Sequence, residues 1–208
     1  VCRLNFTHKT YDEAVAQTAT IRSVAKKLGK TVAVMQDLSG PKIRIGDFYK
    51  ERVILKEGSI FTLTTKMCVG DETHAYVTYK DLPSQLKKGD FVLLDDGKRR
   101  LQVISVSKDE IKCRIIAGGE TKGKRGVNLP GVSLKISCLT AKDRKDLLFG
   151  LEYDVDFMAF SFVRRASDVR ELRAILNKAK SKAKIISKIE TAEGISNIDS
   201  IIAESDVI

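Results

Sequence analysis

The chain has 208 residues, of which 43% are hydrophobic and 31% are charged, and its formal net charge at pH 7 is +10. No run of about 18 apolar residues occurs, so no membrane-spanning helix is expected. The 27 acidic residues are interspersed with the basic ones and Trp is absent, which argues against nucleic-acid binding, whereas the net charge also suits phosphorylated metabolites.

The four cysteines are far apart and form no Cys-x-x-Cys pair. This pattern argues against a zinc site and a disulfide framework, and it favours a reducing cytoplasm in which all four thiols are small buried groups. The chain begins inside a polar–apolar alternation and ends in a strand-like run, with no recognisable signal peptide. We therefore expect a fragment of a longer cytoplasmic protein.

The first 37 residues predict a strand, a helix and a second strand. Residues 1–8 alternate polar with apolar side chains, and a capping box followed by an apolar stripe predicts a helix over 10–28. Residues 31–35 predict the second strand, with Gln36 and Asp37 at its C-terminal end. A strand–helix–strand unit indicates a parallel sheet.

A turn follows the second predicted strand, because Gly40 and Pro41 stand next to each other. Arg44 comes directly after this turn, and its planar guanidinium group suits a phosphate or a carboxylate ligand. A structural ion pair between Arg44 and Asp37 is the alternative interpretation.

Residues 47–131 change period and predict an inserted all-β domain without a helix of ordinary length. The prediction rests on short segments in which polar and apolar residues alternate; the clearest segments are 59–65, 91–94, 101–106 and 110–116. Glycine-containing turns separate them, and Gly118-Gly119 is one of these predicted turns. The basic, glycine-rich segment 122–126 either contacts phosphates or is a solvated loop.

Residues 132–208 return to alternating helices and strands. The predicted elements are a helix from the capping box at 140–143 to about Gly150, a strand over 155–162 and a helix capped by Ser167. A strand over 184–190 follows, and then a last helix that carries Ile195, Ile198, Ile201 and Ile202. We predict an α/β fold, a partial (β/α)8 TIM barrel with an inserted all-β barrel domain. The predicted domains are 1–46 and 132–208 for the barrel and 47–131 for the insert.

Lys188 and Glu190 end the strand predicted over 184–190. They stand two residues apart, so on a strand their side chains point to the same face. Charged groups at the C-terminal end of a parallel strand are typical of catalysis. A surface salt bridge at a strand end is the alternative.

Six segments carry a family resemblance, and they occur in the family's order at 3–8, 37–44, 93–97, 126–131, 154–162 and 184–190. Together they resemble pyruvate kinase, and the form Asp-Leu-x-Gly-Pro-Lys at 37–42 resembles the bacterial type. The resemblance implies a phosphotransferase of glycolysis, in which the phosphoryl group of phosphoenolpyruvate passes to ADP to give pyruvate and ATP. It further implies three domains: a barrel A domain, of which the chain holds part, a complete B domain, and a C-terminal domain outside the chain. The full-length protein is expected to be a homotetramer without nucleic-acid or membrane partners.

The resemblance also implies roles for individual residues. Lys188 matches the group that stabilises the transferring phosphoryl group and the enolate, and Glu190 matches a ligand of Mg²⁺ or Mn²⁺. Arg44 matches the arginine that holds the phosphate of phosphoenolpyruvate. Arg3 and His8 match positions on the nucleotide side, and Arg3 is also a candidate for the transferred phosphate.

A monovalent-cation site is implied as well, with K⁺ as the ion; its expected ligands are Asn5, Thr7, Asp37 and the carbonyl of Leu38. Family members that require K⁺ tend to carry glutamate where this chain has Lys42. We therefore hypothesise that the Lys42 ammonium replaces K⁺. The second metal carboxylate and the proton-relay threonine of the family are expected beyond Ile208, so the fragment alone is predicted to be inactive.

Two other functions fit parts of the sequence. Lys188 is a candidate Schiff-base lysine of a barrel aldolase, although the nearby Glu190 carboxylate stabilises the charged form of the lysine and so opposes this role. The basic β insert is a candidate oligonucleotide-binding barrel, although it lacks a row of aromatic residues for base stacking.

Overall fold

A computed structural model describes residues 1–6 and 10–208 of the chain. These residues form two compact units: unit 1 comprises Val1–Pro41 and Ile136–Ile208, and unit 2 comprises Lys42–Lys135. The assignment of the two units to an A and a B domain stays a prediction.

The secondary structure of the described residues combines many short strands with a few helices. The strands are β1 (Cys2–Asn5), β2 (Val34–Leu38), β3 (Arg52–Leu55), β4 (Ile60–Thr64), β5 (His74–Tyr76), β6 (Phe91–Leu94), β7 (Arg99–Val106), β8 (Glu110–Ala117), β9 (Gly119–Lys122), β10 (Val127–Asn128), β11 (Phe157–Phe160) and β12 (Lys184–Ser187). The helices are α1 (Tyr11–Lys27), α2 (Leu82–Gln85), α3 (Ala141–Glu152), α4 (Ala166–Lys178), α5 (Ala192–Ser196) and α6 (Ile198–Glu204).

Unit 1 is built on a parallel sheet with the strand order β1-β2-β11-β12. Helix α1 connects β1 to β2 and α4 connects β11 to β12, as parallel neighbours require. The sheet and the helices share one apolar core, to which Leu38, Met158 and Phe160 contribute from the strands and Leu147 and Leu172 from the helices. The α/β class is thus confirmed, and the C-terminal ends of four strands meet at one edge.

Strand β2 starts later and ends later than predicted, because it covers Val34–Leu38 and not 31–35. Gln36 and Asp37 therefore lie inside the strand and are buried. The strand is paired on both sides, and Gln36 Nε2 donates to Asp146 O at 2.6 Å, which offsets part of the cost of burying this side chain.

Both predicted capping boxes are confirmed. The Thr10 hydroxyl accepts from the Glu13 amide at 3.3 Å, and the Thr140 hydroxyl accepts from the Asp143 amide at 3.1 Å. Such caps are typically worth about 1 kcal/mol each to the folded state. The prediction that Ser167 caps α4 is wrong, because α4 starts after Arg165, whose amide donates to the carboxylate of Asp168 at 3.1 Å.

The single last helix that the isoleucine spacing predicts is also wrong. The structure divides this region at Asn197 into the short helices α5 and α6. Ile201 is buried, whereas Ile195 is 66% exposed and Ile202 is 52% exposed. After α6, Val207 forms an isolated parallel bridge with Ile186, in line with the strand-like pattern of the last residues.

Unit 2, all of whose residues are described, is a β structure whose one helix, α2, is a single turn. Its larger sheet has the order β10-β6-β7-β8-β4-β5, with all pairs antiparallel except β4 with β5, and a second sheet pairs β3 with β9. The predicted strands at 59–65, 91–94, 101–106 and 110–116 are confirmed to within two residues at each end. Phe61, Leu63, Val92, Leu101 and Ile111 are fully buried in its core.

Gly118 and Gly119 do not form the predicted turn. Gly118 alone connects β8 to β9, which begins at Gly119, and here the chain leaves one sheet and pairs with β3 in the other. A Cβ atom at Gly118 would lie 2.2 Å from the carbonyl oxygen of Leu55, so this position requires glycine because the backbones approach closely. Gly119 has φ of +116°, a conformation that disfavours other residues.

The prediction of buried thiols holds for two of the four cysteines. All four are free; Cys113 and Cys138 are buried, whereas Cys2 and Cys68 are partly exposed. Burial raises the pKa of Cys113 and of Cys138 to about 12, so both thiols stay protonated at neutral pH. Among the described residues, no helix is both long and apolar enough to cross a membrane.

Candidate active site

The C-terminal edge of the sheet in unit 1 brings together polar side chains from distant parts of the sequence. Asp37 lies near the end of β2, Ser161 follows β11, and Lys188 follows β12. Strand β1 ends at Asn5, which is the register partner of Asp37. The parallel register explains the grouping, because parallel strands end at the same edge.

The Lys188 ammonium is at the centre of this group. Its Nζ atom lies 2.8 Å from the Ser161 hydroxyl and 3.2 Å from Asp37 Oδ1. Glu190 Oε1 lies 3.5 Å from the same nitrogen, within ion-pair range but beyond an ordinary hydrogen bond. Lys188 and Glu190 therefore lie side by side as predicted, although β12 itself ends at Ser187.

Asp37 holds two cations with one buried carboxylate. Its side chain is 5% exposed, and Oδ2 accepts from Arg3 Nε at 2.7 Å while Oδ1 accepts from Lys188. Buried carboxylates require such partners, since an unpaired charge away from water is costly. The partners of Asp37 in unit 1 are thus Arg3 and Lys188.

Glu190 carries the carboxylate that the family resemblance assigns to a divalent metal. Its Oε2 accepts from the Phe162 amide at 3.0 Å, and its side chain is 35% exposed. A partly exposed carboxylate of fixed orientation is a suitable hard ligand for Mg²⁺. The described residues contain no group of three His, Cys, Asp or Glu side chains placed to hold a metal, so Glu190 would be one ligand among others.

The other expected residues have different positions. The Leu38 carbonyl, an expected cation ligand, accepts from the Ser161 hydroxyl at 2.7 Å. Thr7 and His8 lie outside the described residues. Arg44 and Lys42 belong to unit 2, where Lys42 is exposed and the Arg44 guanidinium donates to Lys124 O at 3.0 Å.

Two residues of the group were missed by the sequence reasoning. Ser161 touches Lys188, and Phe162 donates its amide to Glu190 from a left-handed conformation with φ of +58°. A signal for Ser161 was present, because it is the one polar residue in the apolar run 157–163. No sequence pattern indicates a positive φ at a phenylalanine.

A glycine makes room for this pair. Gly40 has φ of +65°, and a Cβ atom there would lie 2.9 Å from the Phe162 ring and 3.1 Å from Ser161 Cβ. The Gly40 amide also donates to the buried Asp143 carboxylate at 3.2 Å. Gly40 thus meets two requirements at once, the turn after β2 and close packing against the 161–162 peptide.

Comparisons with known proteins agree with the motifs. A family model described as the barrel domain of pyruvate kinase matches residues 1–208. The chain is 43% identical over 208 residues to a pyruvate kinase of Staphylococcus epidermidis and 44% identical over 209 residues to one of Staphylococcus haemolyticus. Each alignment covers 99% of this chain but 36% of the relative, so the chain spans little more than a third of the length of these relatives.

A solved structure gives the same result. A pyruvate kinase from Cryptosporidium parvum superimposes with a TM-score of 0.91 at 35% identity, covering 98% of this chain and 43% of that one. The comparisons favour neither the Schiff-base aldolase nor the oligonucleotide-binding module. On this sequence and structural similarity, the chain belongs to the pyruvate kinase family.

Proposed function

We propose that the protein containing this chain transfers the phosphoryl group of phosphoenolpyruvate to ADP and produces pyruvate and ATP, as a glycolytic enzyme of the cytoplasm. The observation that supports this most strongly is the Lys188 ammonium, fixed by Asp37 and Ser161 beside the Glu190 carboxylate. Family membership supports the same activity.

The reaction breaks the bond between phosphorus and the enolate oxygen and forms a bond to an oxygen of ADP; the enolate then takes a proton and becomes pyruvate. Negative charge spreads over the transferring group and the enolate oxygen, so catalysis needs positive charge that is already in place. Lys188 is the proposed source, because two acceptors orient it and 31% of its side chain is exposed.

Arg3 is proposed to bind the transferred phosphate. Its guanidinium group shares Asp37 with Lys188, and its side chain is 54% exposed, which leaves donors for an anionic ligand. Arg44 keeps its proposed role on the phosphate of phosphoenolpyruvate and His8 its role on the nucleotide side, both from the family resemblance.

Glu190 is proposed to hold Mg²⁺ or Mn²⁺ together with oxygens of the substrate. When bound, the divalent ion supplies positive charge that neutralises phosphate and carboxylate oxygens. The protein contributes the orientation of the carboxylate, which the Phe162 amide fixes. Asn5, Thr7, Asp37 and the Leu38 carbonyl are proposed to form the monovalent-cation site.

The proposed architecture is a partial (β/α)8 barrel with an inserted all-β domain, in a longer protein that forms a homotetramer. The parallel β1-β2-β11-β12 sheet with its helical connections supports the barrel, and the β sheets of unit 2 support the insert. The proposed partners are phosphoenolpyruvate and ADP or ATP, with no nucleic acid and no membrane.

A coupled assay tests this function. Full-length protein is expected to oxidise NADH through lactate dehydrogenase when given phosphoenolpyruvate, ADP and Mg²⁺, whereas a protein limited to residues 1–208 is expected to show no turnover. The physical reason is that Glu190 alone gives too few metal ligands. Substantial turnover by residues 1–208 would contradict the second expectation, and trapping of pyruvate on Lys188 by borohydride would favour the aldolase.

We predict that the full-length enzyme depends weakly or not at all on K⁺. The exposed Lys42 ammonium is a compact positive charge of the kind that can replace the ion. Rates in KCl and in a choline salt of equal ionic strength are expected to agree. The Lys42→Glu variant is the matched control and is expected to gain K⁺ activation; strong activation of the unmodified enzyme by KCl would contradict the prediction.

A further inference from the structure

Four hydrogen bonds join residues 160–163, at the end of β11, to residues 188–190, which follow β12 and include the candidate catalytic groups. Two of them join backbones: the Lys188 amide donates to Phe160 O at 3.0 Å, and the Val163 amide donates to Lys188 O at 3.2 Å. The other two reach the charged groups themselves. The Ser161 hydroxyl accepts from Lys188 Nζ at 2.8 Å, and the Phe162 amide donates to Glu190 Oε2 at 3.0 Å.

The hydroxyl of Ser161 is itself fixed. Ser161 is 3% exposed, and its hydroxyl donates a hydrogen bond to the Leu38 carbonyl at 2.7 Å. Because the proton is used there, the oxygen presents a lone pair to Lys188. This arrangement distinguishes Ser161 from a surface serine, whose hydroxyl rotates freely.

A lysine ammonium has three N–H groups on a flexible stem and needs acceptors to adopt one direction. Ser161 and Asp37 accept two of these bonds. On a tetrahedral nitrogen, two fixed hydrogens and the side-chain carbon determine the third N–H. Ser161 therefore helps to determine where Lys188 aims its remaining donor.

Phe162 acts on the neighbouring carboxylate through its backbone. Its positive φ of 58° costs roughly 1 kcal/mol or more for a residue with a Cβ atom. The conformation is held from both sides, because the Phe162 amide binds Glu190 and the Phe162 carbonyl accepts from the Cys138 thiol at 3.1 Å. The Ser161–Phe162 peptide unit thus links the contact with Lys188 to the contact with Glu190.

We propose that Ser161 is a positioning residue for the proposed phosphoryl transfer, and that the 160–163 segment sets the directions of Lys188 and Glu190 independently, through the serine hydroxyl and the Phe162 amide. The inference rests on the proposed function, since it assigns Ser161 a part in the same reaction. The contact between Ser161 and Lys188 can also be tested without measuring turnover.

The test compares Ser161→Ala with Ser187→Ala in the full-length protein. Ser187 is an ideal control: it is fully buried beside Lys188, but its hydroxyl bonds to that of Ser205 at 2.6 Å. Ser161→Ala is expected to lower kcat about tenfold to a hundredfold, with little change in KM for phosphoenolpyruvate, because misorientation of a catalytic group acts mainly on the transition state. Ser187→Ala is expected to keep kcat.

Two further measurements separate positioning from general damage. Mn²⁺ alone is titrated into each protein by electron paramagnetic resonance, and Ser161→Ala is expected to bind it as the unmodified protein does, since the Phe162 amide still orients Glu190. The rate at which acetic anhydride acetylates Lys188, normalised to the exposed Lys182 by mass spectrometry, is expected to rise about threefold to tenfold in Ser161→Ala, because a strong acceptor is lost.

The outcomes are distinguishable. An unchanged acetylation rate of Lys188 in Ser161→Ala overturns the positioning role, whatever the activity. A loss of Mn²⁺ binding in Ser161→Ala overturns the independent control of Lys188 and Glu190. If Ser187→Ala loses kcat to a similar extent, the damage is nonspecific, and this result also overturns the positioning role of Ser161. If the full-length protein shows no turnover while acetylation of Lys188 rises, the proposed function fails and the orienting contact of Ser161 stands.

Discussion

Replacing Lys188 by methionine is expected to lower kcat for phosphoryl transfer from phosphoenolpyruvate to ADP by about a thousandfold. Methionine keeps much of the length of the side chain but removes the charge that is proposed to stabilise the transferring group. The variant is expected to fold, because Asp37 remains paired with Arg3 at 2.7 Å and is not left as an isolated buried charge.

Two other variants complete this experiment. Lys188→Arg is expected to recover little activity, since a planar guanidinium group cannot reproduce the two contacts of the ammonium with Ser161 and Asp37. Lys182→Met changes an exposed lysine before the same strand and is expected to behave as the unmodified enzyme. The measurements are kcat and KM in the coupled assay, with thermal unfolding as the check on folding; a Lys188→Met enzyme that keeps more than about a tenth of kcat would refute the assignment.

Replacing Gly118 by alanine is expected to destabilise unit 2 by about 3 kcal/mol, near the upper end for an added core methyl group. The new Cβ atom would lie 2.2 Å from Leu55 O and 3.0 Å from Glu57 N. Both are backbone atoms next to the pairing of β3 with β9, so relief requires the strands to separate. Side-chain rotation cannot remove the overlap.

Gly126→Ala is the matched control for this change. Gly126 lies in the same unit, and a Cβ atom there would have Lys42 Cε at 3.9 Å as its nearest contact. Hydrogen exchange of peptides from β3 and β9, with mass-spectrometric detection, is expected to quicken in Gly118→Ala and to stay unchanged in Gly126→Ala. Unchanged protection of β3 and β9 in Gly118→Ala would show that the junction can open without cost.

The central pair of the site could be predicted from sequence because its geometry follows from strand period. Lys188 and Glu190 are separated by two, and the ladder between β11 and β12 continues past Ser187 through the bond from the Lys188 amide to Phe160 O. The extended backbone therefore persists where the strand formally ends, and both side chains stay on one face.

Other features depended on tertiary contacts that local patterns do not record. Asp37 was predicted at the end of a strand, but pairing with β1 and β11 extends the strand through it. Ser167 has the residue type of a helix cap, yet the Asp168 carboxylate accepts from both the Arg164 and Arg165 amides and starts α4 earlier. In both cases a long-range partner or a competing side chain outweighs local propensity.

The close packing at Gly40 has a consequence for substitutions at this position of the chain. The turn after β2 and the serine that contacts Lys188 occupy neighbouring space, with no room for even one methyl group between Gly40 and Phe162. A mutation at position 40 would thus reach the ammonium through a displaced backbone, without altering any charge. The loop that leads out of the sheet is thereby coupled to the orientation of Lys188 by steric contact.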